Sequence, residues 1–266
     1  MAQRAKDIAV WMRQQATIAG ARGYVVGLSG GVDSAVVARL CQMATPGRVV
    51  GLIMPCHSDP RDEEDAGLIA HRFEVPAVRI DLTPAYDLLV ADLKTLFLQL
   101  PVDQAPDLAT TETVDLRARV PFANVKPRLR MAALYFVANS LNYLVAGTGN
   151  RSELTIGYFT KYGDGGVDVL PLGQLTKAEV LAVARELDVP ESVMEKTPSA
   201  GLWAGQTDED EMGFSYADLE RYLSRGPEGV APALAMRIER LVRATEHKRA
   251  SPPMPQDENA ESRTLD

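Results

Sequence analysis

The amino-acid sequence predicts an α/β fold: a Rossmann-like parallel sheet with helices on both faces and further helices added to it. Strand-sized apolar runs alternate with helical stretches, a pattern typical of parallel sheets. Glycine-rich turns follow Leu28 and Ala146, each at the end of a predicted strand. Ligands of such sheets bind beyond the carboxyl ends of the strands. We therefore expect the functional site at that edge.

The predicted elements of the sheet region follow one another closely. Residues 3–20 form the first predicted helix, because apolar side chains recur there at helical spacing. Helices are also predicted from the first glycine turn to about residue 41, from about residue 60, and at residues 83–98. Negative charge at residues 62–65 suits a helix N-terminus. The strands are predicted at residues 24–28, 49–54, 77–82 and 143–146.

The remaining segments are more varied. Residues 101–111 read as a proline-interrupted connection, and residues 114–141 as a long helical stretch interrupted near Pro121 and Pro127. Later helices are predicted near residues 177–187, 216–225 and 231–246. Residues 250–266 are polar and rich in proline, which predicts a disordered tail.

Composition excludes several classes of protein. The net charge of −8 disfavours a general nucleic-acid surface, which needs a clustered basic face. The apolar runs are too short to cross a bilayer, and the N-terminus lacks the apolar segment of a secretion signal, so we expect no membrane contact. Only Cys41 and Cys56 occur, which rules out a disulfide framework and favours a cytoplasmic setting.

The turn after the first predicted strand, residues 27–34, reads GLSGGVDS. Gly30 and Gly31 let backbone N–H groups approach an anion, and the hydroxyls of Ser29 and Ser34 add donors. A turn without a ligand leaves the combination of serines, paired glycines and Asp33 unexplained. A P-loop needs a Gly-Lys pair, which the chain lacks, and a dinucleotide fingerprint needs a third glycine where Ser152 stands.

This turn resembles the pyrophosphate-binding signature SGGxDS of the ATP pyrophosphatase superfamily, whose members cut ATP between the α and β phosphates. The resemblance implies an adenine nucleotide alpha hydrolase-like fold. The turn alone leaves GMP synthetase, asparagine synthetase, argininosuccinate synthetase and tRNA-modifying enzymes open. By the same resemblance, the ATP-binding residues of the turn are expected to be Gly27, Ser29, Gly30, Gly31, Val32, Asp33 and Ser34.

Further blocks narrow the choice of family. Residues 147–153 read GTGNRSE and residues 157–168 read GYFTKYGDGGVD; NVKPRLRM, LTK, PSAGL and EHKR lie at residues 124–131, 175–177, 198–202 and 246–249. Together they resemble the ammonia-dependent NAD synthetase family, with one synthetase domain over residues 1–249. The resemblance implies a homodimeric ligase that amidates deamido-NAD with ammonia and ATP through an adenylate, giving NAD, AMP and pyrophosphate. The blocks begin within about two dozen residues of the N-terminus, so we expect no glutaminase domain and direct use of ammonia, unless a separate subunit delivers it.

The family positions also assign roles around the phosphates. Asp33 and Glu153 are oxygen ligands of the kind that Mg²⁺ prefers, and the resemblance implies that they hold it. Thr148 is expected to contact ATP, as is Ser199, where the family often has threonine. Lys177 is expected to meet the β and γ phosphates and to be catalytic together with Asp33.

The second substrate has its own expected residues, all implied by the resemblance. Cations suit the pyrophosphate and the carboxylate of deamido-NAD, although a histidine and a lysine at the end of a helix would otherwise read as a polar helix end. Residues 200–211 are expected to form a mobile lid that excludes water. Cys56 and His57 diverge on an extended segment and are interpreted as structural. The expected deamido-NAD residues are Arg128, Lys161, Asp168, His247 and Lys248.

Two rival functions remain at this point. One is another adenylating enzyme of the superfamily, such as a GMP synthetase core or a tRNA thiolase; the cysteine count and the negative charge disfavour the thiolase. The other is a non-catalytic nucleotide sensor, which the presence of Asp33, Glu153 and Lys177 disfavours.

Overall fold

A parallel four-stranded sheet forms the centre of the molecule. The computed structural model describes residues 2–97, 99, 116–203 and 205–255. The strand order is β3-β2-β1-β4, and Val25 pairs with Val50 on one side and Val145 on the other. This confirms the predicted fold class. The strands are β1 (Tyr24–Gly27), β2 (Val49–Ile53), β3 (Ala77–Arg79) and β4 (Leu144–Ala146).

The strands end before the residues predicted for three of them. Residue 28, residue 54 and residues 80–82 lie beyond the strand ends, where the chain turns toward the site. Some ladder bonds continue, because the Leu28 N–H donates to the Leu52 carbonyl at 2.8 Å and the Ile80 N–H to the Ile53 carbonyl at 2.9 Å.

Helices connect the strands and extend the chain beyond them. A single turn of 3₁₀ helix, Pro227–Gly229, joins two of the later helices. The helices are α1 (Ala2–Ile18), α2 (Val32–Ala44), α3 (Pro60–Arg72), α4 (Thr83–Phe97), α5 (Leu116–Ala123), α6 (Val125–Leu141), α7 (Arg151–Ile156), α8 (Lys177–Glu186), α9 (Glu191–Met194), α10 (Asp208–Met212), α11 (Tyr216–Arg225), α12 (Pro232–Ala244) and α13 (Glu246–Arg249).

Both faces of the sheet are covered, as predicted. Successive residues of a strand face opposite sides, so Val26 joins the core beneath α1, α2, α3 and α8, while Val25 joins the core beneath α4 and α6. A third apolar cluster, around Ile156, Leu219 and Ile238, packs α7 against α11 and α12. This cluster places the C-terminal helices beside the turn that follows β4.

The long helical segment is interrupted between its two prolines. The break falls at Asn124, between α5 and α6, and Pro121 lies inside α5. Pro127 lies in the first turn of α6, where a missing N–H costs no hydrogen bond within the helix. The predicted interruption near Pro121 and Pro127 is therefore a single break at Asn124, three residues from each proline.

Several sequence predictions fall wholly or partly outside the described residues, mainly three of them. These are the connection at residues 101–111, the start of the stretch at 114–141 and most of the tail at 250–266; residues 251–255 have no regular secondary structure. Among the described helices, none is long and apolar enough to cross a membrane.

Candidate active site

The glycine turn joins β1 to α2 and is held by its own serines. Ser34 Oγ donates to the Gly31 carbonyl at 2.8 Å, and the Gly31 N–H donates to Ser29 Oγ at 3.3 Å. Gly30 has a φ of +76°, and a Cβ there would lie 2.4 Å from the Asp62 carbonyl oxygen. Only glycine fits at that position without a shift of α3. The turn therefore presents the N-terminus of α2 to the space beyond β1, an arrangement that suits an anion.

A network of four side chains lies directly beyond this turn. Lys177, at the start of α8, donates to Asp33 Oδ2 in a short ion pair, and Asn150 Nδ2 donates to Asp33 Oδ1 at 3.1 Å. Asn150 also forms a capping box with Glu153: its side chain accepts from the Glu153 N–H, and Glu153 Oε2 accepts from the Asn150 N–H, both at 3.1 Å. Because Asn150 is fully buried, it links the two carboxylates rigidly.

The network holds more carboxyl groups than cations. Burial and the nearby Asp33 carboxylate, opposed by Lys177, together raise the pKa of Glu153 to about 8. Burial alone lowers the pKa of Lys177, but Asp33 and Glu153 outweigh it and keep the ammonium charged. Burial also raises the pKa of Asp208, whose Oδ2 accepts from Tyr216 at 2.8 Å. One lysine thus faces several carboxylates, an imbalance that a cation relieves.

The chemistry of these donors fits a magnesium ion. Within the described ranges, no three histidine, cysteine or carboxylate side chains are grouped so that they could hold a metal ion by themselves. Mg²⁺ is bound through one or two carboxylates together with phosphate oxygens and waters. Asp33 and Glu153 are therefore the residues that could hold it, with a nucleotide supplying further oxygens.

A cavity of about 1050 Å³ opens over the glycine turn, which is room for a large ligand. Of the residues expected to bind ATP, only Gly30 does not line this cavity, because it packs against α3. The lining residues from that set are Gly27, Ser29, Gly31, Val32, Asp33, Ser34, Thr148, Lys177 and Ser199, and Glu153 joins them.

The residues expected to bind deamido-NAD are placed differently. Lys248 lines the cavity, and its Nζ donates to the Gly157 and Phe159 carbonyls, both at 2.7 Å. Lys161 donates to the His247 carbonyl, and Arg128 Nη2 donates to the Lys161 carbonyl at 3.4 Å. These four residues form one basic chain that runs from the cavity to the surface.

Asp168 lies apart from that chain. Its Oδ2 accepts from the Val145 N–H at 2.7 Å and its Oδ1 from the Tyr135 hydroxyl at 3.0 Å, and it does not line the cavity. Arg128, Lys161 and His247 do not line it either. The structure thus brings the residues expected to bind ATP together around the cavity. Most of the residues expected to bind deamido-NAD lie outside its lining.

Cys56 and His57 make no catalytic pair. Cys56 is buried, and that burial raises the pKa of its thiol, which disfavours the reactive thiolate. His57 Nε2 instead lies 2.7 Å from Asp87 Oδ1 on α4.

Several residues in or beside the cavity were not among the site residues expected from the sequence. Arg130 donates to the Met54 carbonyl at 3.1 Å, and Tyr158 donates to Glu211 in a short hydrogen bond. Lys126 donates to the Leu202 carbonyl in the segment expected to form a lid, and Lys196, just before that segment, pairs with Asp62 on α3. The NVKPRLRM block contains Arg130 and Lys126, so its basic spacing was a usable signal. No local pattern marks Lys196 or Glu211.

The expected lid divides into two parts. Residue 204 is not described, and the other residues of 200–207 have no regular secondary structure. Residues 208–211 belong to α10. The first part lines the cavity through residues that include Gly201, Leu202 and Trp203. The expected lid therefore combines an irregular stretch with the first residues of α10.

Comparisons with known proteins agree with one another. A family model described as NAD synthase matches residues 4–252. An NH(3)-dependent NAD(+) synthetase from Carboxydothermus hydrogenoformans is 48% identical over 253 residues, covering 95% of this chain and 97% of the relative.

Solved structures show the same similarity. NMN synthetase from Francisella tularensis has a TM-score of 0.81 at 34% identity, covering 95% of this chain and 97% of that one. An NH3-dependent NAD synthetase from Campylobacter jejuni has a TM-score of 0.73 at 27% identity, covering 96% and 98%. The chain belongs to the NAD synthase family.

Proposed function

We propose that this protein is a carbon–nitrogen ligase that uses ATP and ammonia to convert deamido-NAD to NAD. The observation that carries the proposal is the Asp33–Lys177 ion pair, held by Asn150 beside Glu153 at the mouth of the glycine turn. That arrangement suits a reaction in which pyrophosphate leaves from ATP. Ammonia as the nitrogen source is supported by the relative at 48% identity, which is named for it.

The first step activates the acid. A carboxylate oxygen of the nicotinate ring attacks the α-phosphorus of ATP, and the bond from that phosphorus to the bridging oxygen breaks, so pyrophosphate departs. The glycine turn holds the pyrophosphate end through backbone N–H groups, and the Lys177 ammonium neutralises charge that grows on the leaving group. Asp33 holds Lys177 in place through their ion pair.

The second step forms the amide. Ammonia attacks the carbonyl carbon of the acyl-adenylate, the nitrogen loses a proton, and the bond to AMP breaks. The chain's own part here is to hold the adenylate and to exclude water, which would return the acid. No nucleophilic side chain takes part in either step.

Asp33 and Glu153 would hold a magnesium ion at the phosphate end. The ion would supply charge neutralisation and a fixed geometry for the pyrophosphate oxygens. The support is the surplus of carboxylates over cations in that network.

The second substrate would lie toward Lys248, with Arg128, Lys161 and His247 along its path and Asp168 beside β4. Because this row of basic residues reaches the surface, a second copy of the protein would complete the site.

Large apolar side chains on α4 and α6 are open to solvent in the single protomer, including Leu88 at 68% and Phe136 at 75% exposure. We include a homodimer through that face in the proposal; Phe136→Glu should give a monomer by sedimentation, and an unchanged dimer would contradict this interface.

A substrate assay tests the proposed function. Purified protein is given ATP, Mg²⁺ and ammonia with deamido-NAD, nicotinate mononucleotide or xanthosine monophosphate, and the products are separated by chromatography. The mononucleotide arm is included because a structural neighbour is named for NMN synthesis. We expect AMP and NAD from deamido-NAD at equal rates. ADP and orthophosphate as products, or amide formation from the mononucleotide alone, would contradict the proposal.

The setting of the reaction belongs to the same proposal. We place the enzyme in the cytoplasm, where ATP is abundant; Cys41 and Cys56 are free and buried. We also treat residues 1–249 as one catalytic domain.

A further inference from the structure

One wall of the cavity is a segment without regular secondary structure. From here on, the lid means residues 197–206, which start before the segment expected from the sequence and leave out α10; residues 197–203 and 205–206 of it are described. The lid lies between α9 and α10, and Gly201 and Gly205 both have positive φ, at 61° and 73°. Each of its described residues lines the cavity. Whatever holds the lid in place therefore decides how much water reaches the bound nucleotide.

A lysine just before the lid is bonded to the helix beside the glycine turn. Lys196 Nζ lies 2.6 Å from Asp62 Oδ1 and 2.7 Å from Asp65 Oδ2, both in the first part of α3. The Asp62 carbonyl is the group against which Gly30 packs. The start of the lid is thus fixed to the same helix that abuts the phosphate-binding turn.

A second lysine reaches the middle of the lid from the opposite side. Lys126, in the first turn of α6, donates from Nζ to the Leu202 carbonyl at 2.7 Å, and it lies over the Tyr86 ring at 5.5 Å. It is 5% exposed, and no carboxylate lies within ion-pair distance of it in the described part of the chain. If the lid moved away, this buried ammonium would lose its hydrogen bond to the Leu202 carbonyl, which is costly for a charged group.

The other polar group of Leu202 is also satisfied. Its N–H donates to Gln206 Oε1 at 2.7 Å, and Gln206 Nε2 donates to Glu211 Oε2 at 2.6 Å. These bonds stay within the lid and α10. Among the described residues, the hydrogen bonds and ion pairs that join the lid and its first flanking residue to α3 and α6 come from Lys196 and Lys126.

We propose that Lys196 and Lys126 are positioning residues that hold the lid across the cavity from its two sides and so protect the acyl-adenylate from water. Lys196 acts on the nucleotide side, through α3, and Lys126 acts on the second-substrate side, through α6. Neither needs to touch a substrate for this role. We call the contacts of Lys196 and Lys126 the latch. The latch is a property of the free protein, and the inference rests on the proposed function only for the protection of the acyl-adenylate.

The sequence supplies a reporter for the lid. The chain has two tryptophans, Trp11 on the exposed side of α1 and Trp203 within the lid. In a Trp11→Phe background, acrylamide quenching therefore measures how open the lid is around Trp203. Lys196→Met and Lys126→Met remove each ammonium and keep most of the side-chain volume. Lys6→Met, an exposed position on α1, is the matched control.

We expect both latch variants to raise the quenching constant of Trp203 about twofold, and Lys6→Met to leave it unchanged. With substrates, AMP should exceed NAD in both variants, because the adenylate is lost to water, whereas the parent gives one AMP per NAD.

Breaking two partly exposed ion pairs in Lys196→Met should raise the KM for ATP about three- to tenfold with less effect on kcat. Lys196→Arg should restore the parent values.

The carboxylate partners separate a latch from a direct phosphate contact. Asp62→Asn combined with Asp65→Asn should reproduce the quenching and the AMP excess of Lys196→Met; unchanged values would overturn the role of Lys196. Unchanged quenching with equal AMP and NAD in Lys126→Met would overturn the role of Lys126. If that variant does not fold, as judged by circular dichroism, the Lys196 series decides the proposal. Should the parent make no NAD, the proposed function fails, while the quenching measurement still tests the latch.

Discussion

The two ends of the cavity are built in different ways. At the phosphate end, Lys177 pairs with Asp33, and Asn150 links Asp33 to Glu153; Asp33 and Glu153 lie on the helices that follow β1 and β4, and Lys177 lies at the start of α8. At the second-substrate end, Lys161 and Lys248 donate to backbone carbonyls and sit on a loop and on the four-residue helix α13. The first end is supported by the sheet, and the second by peripheral segments.

This difference indicates which end is preorganised. Side chains that are held by other side chains keep their geometry before a substrate arrives, which favours catalysis of a charge-separating step. Cations that are bonded to carbonyls can exchange those partners for a phosphate or a carboxylate at little cost. We therefore expect changes at the phosphate end to lower kcat, and changes at the other end to raise the KM for deamido-NAD.

The largest effect is expected at Asp33. Asp33→Asn removes a proposed metal ligand and the partner of Lys177, and turnover should fall by about a thousandfold or more, since both contributions act on the leaving pyrophosphate. Steady-state NAD formation measures it. Asp7→Asn, the same change at an exposed position on α1, is the control and should be neutral. Turnover within tenfold of the parent would remove Asp33 from the mechanism.

The next largest effect is expected on stability, when Lys177 is replaced. In Lys177→Met, Asp33 and Glu153 lose their buried cation, and the free energy of unfolding should fall by about 3–5 kcal/mol. Urea unfolding at neutral pH measures this. Adding Asp33→Asn to Lys177→Met should recover part of the stability and none of the activity. A loss below 1 kcal/mol would mean that the ion pair contributes little to the fold.

The sequence could predict the parts of this site that lie within one short segment, but not the contacts between distant segments. The glycine turn and Asp33 lie within one short segment, so local backbone chemistry and family resemblance both identify them. The link from Asn150 to Asp33 joins residues 117 positions apart, and no local pattern marks it. The Lys196 latch depends on the position of α3 relative to the lid, which spacing along the chain does not specify.

Helix boundaries show a similar limit. The long segment before β4 was expected to break near its prolines; the break falls between them, at Asn124, and Pro127 is tolerated in the first turn of α6. Proline marks a preference of the backbone, and the packing of α6 against β1 and β4 decides where the helix starts. Packing of that kind is not visible in a single sequence.

A smaller effect, and one confined to binding, is expected at Lys248. Lys248→Ala removes an ammonium that lines the cavity, so the KM for deamido-NAD should rise about ten- to a hundredfold, with kcat and the KM for ATP changed much less. Initial rates over a range of both substrates separate the three constants. His247→Ala, at an exposed neighbour, should change the same KM only a few-fold. If Lys248→Ala mainly lowered kcat, the two ends of the cavity would not differ as we argue.

A further effect is expected in the pH dependence of stability. The pKa of Glu153 is raised from 4.5 to about 8. Between these values the unfolded chain releases a proton that the folded protein keeps, so the stability of the metal-free protein should be highest below the unfolded pKa, fall as pH rises through this window, and level off above it. Thermal unfolding from pH 5 to 9 measures this, and Glu153→Gln should flatten the curve. Mg²⁺ with ATP should stabilise the parent most at the alkaline end, because binding there requires no loss of a proton. If the curve were equally steep in Glu153→Gln, the titration would belong to another group, and the surplus negative charge would not lie where the metal ligands are.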